Sequence, residues 1–172
     1  RPHEVVLQGN VGQHLSFKKG SSTQGYPSSL MGAIALLRQT YYDSEWYKTQ
    51  DEELNVSLEA WNANRDLLPF FEVRDRLEIL RAAKLGKEFG VTYTMAGTGD
   101  EYQRIEAIKA TGSNLIIPVN FPDAFDVTDP YDAYHVSLGD MKHWKLAPTN
   151  AARLANADVN FAFTANGLEK KG

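Results

Sequence analysis

The chain has 172 residues, enough for one domain with a substantial core, and its 42% hydrophobic and 23% charged content is that of an ordinary globular protein. A net charge of -4 leaves no basic footprint for nucleic acid, and no apolar run is long enough to span a bilayer. Without cysteine there is no thiolate catalysis, no disulfide and no cysteine-bound zinc.

Arg1 rather than Met heads the chain, which reads as a piece of something longer. Residues 1–25 are irregular. Val5-Val6-Leu7 and Leu15-Ser16-Phe17 suggest short strands, joined through Gly9 to Gly12 as a hairpin. Residues 26–66 read as helical. Pro27 suits a first helical turn, where its missing N–H costs nothing, and Leu30, Ala33, Ile34, Leu37 and Tyr41 recur at helical spacing up to about Tyr42. A second helical stretch holds Trp46 and Tyr47, and a third runs from Val56 to Asp66.

From residue 67 to residue 172 the grammar changes to βα repeats. Four apolar runs alternate with amphipathic stretches: Phe70–Val73, Val91–Met95, Leu115–Val119 and Phe161–Thr164. Strands alternating with helices in this way predict a parallel sheet in an α/β domain. Asp75 and Glu78 form a capping-box pattern, Ile79, Ala82, Leu85 and Phe89 make one stripe, and Gly90 suits a helix stop. Asp100, Gln103, Ile105, Ile108 and Gly112 repeat it. Residues 120–137 read as a long loop, and Thr149 as the cap of a last short helix. No linker divides the chain, so 1–172 reads as one domain.

In parallel α/β sheets chemistry gathers beyond the C-terminal strand ends, which points to Glu72, Thr98, Asn120 and Asn166. Glu72 is the sharpest of them. A carboxylate in Phe-Phe-Glu-Val serves as a metal ligand, a general base or a partner of Arg74 or Arg76. Gly97-Thr98-Gly99 has the strand-to-helix context of an anion-binding turn. It lacks the P-loop lysine and a third glycine, and Asp100-Glu101 would repel phosphate, so a tight turn capped by Asp100 is the simpler reading. Asp123, Asp126, Asp129 and Asp132 lack EF-hand spacing and read as turn formers. His3, His14, His135 and His143 show no metal-binding spacing, and His135 and His143 read as surface or capping residues. Trp46, Tyr47, Trp61 and Trp144 raise a small-molecule or glycan-binding module, against which their helical spacing favours core or interdomain contacts.

At Pro69–Val73, Leu80–Gly90, Gly97–Tyr102, Leu146–Asn150 and Asn160–Gly167 the chain resembles the metal-dependent amidohydrolase superfamily, in its imidazolonepropionase-like branch. Tyr26 to Ile34 resembles a bacterial subgroup of long, two-part amidohydrolase proteins. The resemblance covers most of the chain and implies a partial (β/α)8 TIM-barrel-like domain, the second half of a barrel that takes about 250 residues when whole. It implies a parent that hydrolyses amide-type carbon–nitrogen bonds with metal-activated water, zinc or a similar divalent ion being the family's cofactor. The remainder of the barrel would be the partner, with a homodimer through an exposed sheet edge as another. The subgroup resembled is often exported, which leans toward a periplasmic compartment. The departures are sharp: active members carry a metal-binding His where this chain has Glu72, another near Gly97, and a metal-binding or catalytic Asp at Asn166. The resemblance therefore implies a degenerate metal centre and a fragment that binds no metal by itself. Glu72 and Asn166 remain candidate catalytic residues, Glu72 the candidate metal ligand, and Thr98, Asn120 and Glu101 candidate pocket-lining residues. The alternative is a non-catalytic barrel acting as scaffold or interaction domain.

Overall fold

The computed structural model describes residues 5–50 and 52–168; His3 lies outside them. Five strands form one sheet in the order of the chain: β1 (Gly12–Ser16), β2 (Leu68–Glu72), β3 (Thr94–Ala96), β4 (Leu115–Pro118) and β5 (Phe161–Thr164). All four neighbouring pairs are parallel. The expected α/β class and alternating pattern are therefore present.

The helices are α1 (Leu30–Tyr47), α2 (Val56–Ala63), α3 (Arg76–Glu88), α4 (Ile105–Lys109), α5 (Pro130–His135), α6 (Leu138–Leu146) and α7 (Asn150–Asn156). A sheet that steps in one direction through right-handed crossovers keeps its connecting helices on one face. Burial follows that rule. Leu15, Phe71, Met95 and Leu115 lie in one row of the register, with Ile117 two residues beyond Leu115. They join Ile79, Ala82 and Leu85 of α3, Ile108 of α4 and Leu154 of α7 in the core. The alternate residues point the other way. His14, Glu72 and Ala162 are exposed, and Ser16, Phe70, Thr94, Ala96, Ile116 and Thr164 are only partly covered. Neither Phe70 nor Ile116 of that second face belongs to the hydrophobic core that the helices build against the first.

Several boundaries differ from the sequence reading. The N-terminal hairpin is not formed. β1 pairs with β2 in parallel, and Val5-Val6-Leu7 are exposed without strand structure. The reason is packing: Leu15 falls opposite Phe71, and the Phe17 ring lies 4.7 Å from that of Phe71, whereas Val5 to Leu7 find no apolar partner. α1 runs unbroken through Trp46 and Tyr47, starting at Leu30 because the Ser29 side chain accepts the Gly32 N–H. β3 begins at Thr94, three residues later than expected. Inside the supposed 120–137 loop, Asp129 accepts the Tyr131 N–H and starts α5. At α3, Asp75 accepts from Leu77 and Glu78, as a capping box requires. Glu78 reaches one residue further back than that motif does, to the Arg74 N–H at 2.8 Å, and also holds the Arg74 guanidinium. The helix stop at Gly90 is left-handed, with φ +68°.

Beneath α1, the Tyr41 and Tyr93 hydroxyls meet at 2.6 Å inside the core. Tyr41 also stacks on Phe89 and lies under the Arg65 guanidinium. Burial, and then the bond to Tyr41, hold the Tyr93 phenol protonated well above the usual tyrosine range. A raised folded-state value means that its contribution is complete below the unfolded value and disappears as pH rises toward the folded one. Unfolding free energy from urea titrations should thus fall above about pH 10, where unfolded tyrosine ionises. Replacing both residues (Tyr41→Phe with Tyr93→Phe) should make that alkaline fall shallower; an unchanged slope would contradict this account.

Candidate functional site

The rim formed by the C-terminal ends of the strands holds every residue singled out by position, and the structure divides them into three groups. Glu72 ends β2 on the uncovered face, exposed, and forms no ion pair among the described residues. Neither arginine expected beside it is available: Arg74 is bound to Glu78, and Arg76 donates to Asp100 at 2.7 Å. Asn166 lies on the same rim, three strands away, in an exposed turn where its backbone N–H donates to Thr164 Oγ1 at 3.2 Å. Between them, the β3, β4 and β5 ends carry the polar structure of the site.

Its centre is Glu101, which is fully buried. One carboxylate oxygen accepts the Thr98 N–H at 2.7 Å, and the Gly99 N–H reaches both oxygens, at 3.2 and 3.0 Å. The Asn150 amide donates to the other oxygen at 2.6 Å, while its own Oδ1 accepts the Tyr102 N–H at 2.8 Å. The Gly97-Thr98-Gly99 turn does therefore bind an anion, but the anion is the chain's own carboxylate. Gly97 is required for it, because a Cβ there would come within 2.2 Å of Glu101 Oε1. Asp100 stands at the N-cap position expected of it, but its side chain makes no capping bond there. It accepts from the Arg76 backbone and guanidinium and from Thr98 Oγ1, which fastens the turn to the start of α3.

Beside this lock opens a pocket of about 250 Å³, lined in part by Thr98, Asn120, His143, Asn150 and Phe163. Two of the expected lining residues, Thr98 and Asn120, are present. Glu101 lies beneath the wall as its support, and Glu72 and Asn166 are not part of it. His143, read from sequence as a surface or capping residue, is on α6 and lines the pocket. Its Nδ1 lies 3.2 Å from the Tyr102 hydroxyl, and the two rings stack. Gln103 Nε2 donates to the same hydroxyl at 3.3 Å, so Tyr102 links the 3₁₀ turn to the His143 ring. No spacing rule reveals a histidine that acquires its partner 41 residues away.

The remaining candidates separate. Asp126 accepts from the Thr128 backbone and hydroxyl, which hold its carboxyl below the usual range, and forms a turn as read, whereas Asp129 caps α5 instead. His14 stacks on Phe70 and His135 lies by Tyr134. Trp61 packs edge-on against Tyr41, while Tyr47 and Trp144 line separate surface hollows, so the aromatics form no common binding face. Among the described residues no three histidine or acidic side chains come close enough to hold a metal. Zinc takes three or four such ligands, so this donor set does not fit it. No described helix is long and apolar enough to cross a membrane. No known protein family, curated protein or solved structure matches the chain.

The two carboxylates have unequal expected effects on stability. Glu101→Ala leaves the buried Asn150 amide and the partly buried Thr98 and Gly99 N–H groups without their acceptor, and should cost about 3 kcal/mol in urea unfolding. Glu72→Ala, at an exposed position with no ion pair among the described residues, should change stability by no more than about 0.5 kcal/mol. Equal effects would contradict the roles assigned to them.

Proposed function

We propose that this chain is one half of a (β/α)8 barrel in an amidohydrolase-like protein that hydrolyses carbon–nitrogen bonds, and that it contributes barrel wall and pocket rather than the metal centre. One observation carries the reading. A parallel sheet that winds in a single direction, with helices against one face only, leaves its other face without the cover that parallel sheets ordinarily have. Closing the sheet through further strands at the open β1 and β5 edges would bury Phe70, Ile116 and Ala162 inside a barrel. The same closure would direct Glu72 toward the barrel mouth. The sequence resemblance to the amidohydrolase superfamily supplies the chemistry, since a barrel alone hosts many reactions.

In that family a divalent metal such as zinc activates the attacking water. With Glu72 as the lone acidic side chain at the end of β2 and a neutral amide at Asn166, the metal ligands would come from outside this chain. Asn166 cannot take up a proton near neutral pH, so it is no general base. The alternative reading, a non-catalytic barrel that supports an active partner domain, draws on the same poverty of ligands. A second copy of the chain, joined edge to edge, is a further way to close the sheet, and an exported bacterial parent fits the subgroup resembled.

The test uses the full-length protein assayed on linear and cyclic amides. Glu72→Gln and Asn166→Ala should each lower kcat/KM by less than about tenfold, a transition-state effect below about 1.4 kcal/mol. Metal analysis of that protein should find stoichiometric zinc or a similar ion. A larger loss from either substitution would make this half catalytic. Metal at background with no hydrolysis would leave the scaffold reading.

A further inference from the structure

The turn after β5 carries a chemical feature independent of the proposed function. The chain contains ten asparagines, and Asn166 is the one followed by glycine. Everywhere else the next residue bears a side chain that hinders its own backbone nitrogen from reaching the asparagine amide. Ala165 to Leu168 form a tight turn closed by the Leu168 N–H on the Ala165 carbonyl at 3.1 Å. Gly167 has φ +83° and Asn166 has no positive φ, the pattern of a type II turn. Both central residues are exposed. The Gly167 N–H has no hydrogen-bond acceptor among the described residues, and neither does the Asn166 side-chain amide have a partner there. Asn150 shows the contrast: it is buried, inside a helix, with both side-chain ends bonded.

We propose that Asn166–Gly167 is a site of spontaneous covalent modification, converting the neutral amide to aspartate or isoaspartate. The Gly167 nitrogen gives its proton to base and attacks Asn166 Cγ. A Cγ–N bond forms, the Cγ–Nδ2 bond breaks, and the side-chain nitrogen leaves as ammonia after taking a proton. Water then adds to one of the two carbonyls of the resulting imide ring and opens it. No oxidant or enzyme is needed, and the products carry a new negative charge. Isoaspartate also adds a methylene to the main chain immediately before Gly167.

That insertion reaches the pocket. A Cβ placed on Gly167 would come within 2.6 Å of Asn120 Nδ2, so the turn and the Asn120 side chain are already in close approach. Asn120 lines the 250 Å³ pocket at the β3–β5 rim. A longer, charged main chain at residue 166 displaces Gly167 from this seat and moves Asn120 with it. The turn thus controls one wall of the pocket by a slow, irreversible reaction.

The experiment is incubation of the protein in mildly alkaline buffer, followed by peptide mass mapping, isoaspartyl-methyltransferase labelling and NMR of the asparagine side-chain amides. The expected result is the mass gain of NH replaced by O in the peptide holding Asn166, with methyl label at that peptide and not at the other nine asparagines. The Asn120 amide resonances should shift as conversion proceeds, and those of Asn150 should not. In Asn166→Gln, whose longer side chain closes a ring far less readily, the label should be lost. An unmodified Asn166 peptide, faster conversion at another asparagine, or label persisting in Asn166→Gln would overturn the site. Fixed Asn120 resonances would overturn its coupling to the pocket.

Discussion

A single buried carboxylate organises the rim of this protein. Glu101 is removed from water, so its charge must be met by hydrogen bonds, and the chain meets it with two backbone N–H groups and one side-chain amide. Each partner belongs to a different piece of structure. Thr98 and Gly99 form the turn leaving β3, Glu101 begins the following 3₁₀ turn, and Asn150 opens α7. Asn150 then closes the circuit by accepting the Tyr102 N–H. Three segments are thereby held in one geometry, and the pocket lies beside them.

The same requirement explains why an anion-binding turn faces no external anion. The donors aimed out of Gly97-Thr98-Gly99 are already consumed, and the side-chain space above Gly97 is filled by the carboxylate itself. Asp100 spends its charge in a second direction, on Arg76 and Thr98, which ties the β3 unit to the β2 unit. What remains free at the rim is of another kind. Glu72 has no ion-pair partner among the described residues, while His143, beside Tyr102, and Asn120 line the pocket. The polar groups with structural duties and those open to a ligand are thus separated in space, although they alternate along the chain.

The uncovered face is the second constraint. One row of side chains, Phe71, Met95 and Leu115 with Leu15 packed beside them, belongs to the core under the helices, and the row one residue over does not. Burying a row of apolar side chains stabilises the sheet on one side, while Phe70 and Ile116 on the other are only partly covered. A parallel sheet in this condition calls for further cover, which is the physical content of reading it as part of a barrel.

The amino-acid sequence by itself determined the elements whose signal is local. The β2, β4 and β5 runs, the α3 stripe with its Asp75 cap, the stop at Gly90 and the turn at Asp126 all depend on neighbours within a few residues. Position at strand ends also pointed to Thr98 and Asn120, because parallel order was legible from the alternation of apolar runs and amphipathic stretches. Tertiary structure decided everything that depends on partners far along the chain. β1 pairs across more than fifty residues with β2 rather than folding back on Val5 to Leu7. Glu101 became a lock through Asn150, His143 entered the pocket through Tyr102, and Glu72 was left without an ion pair among the described residues because Glu78 and Asp100 took the arginines beside it. Local propensity sets which residues can face a given side, but only the packed fold settles which charged groups reach each other first.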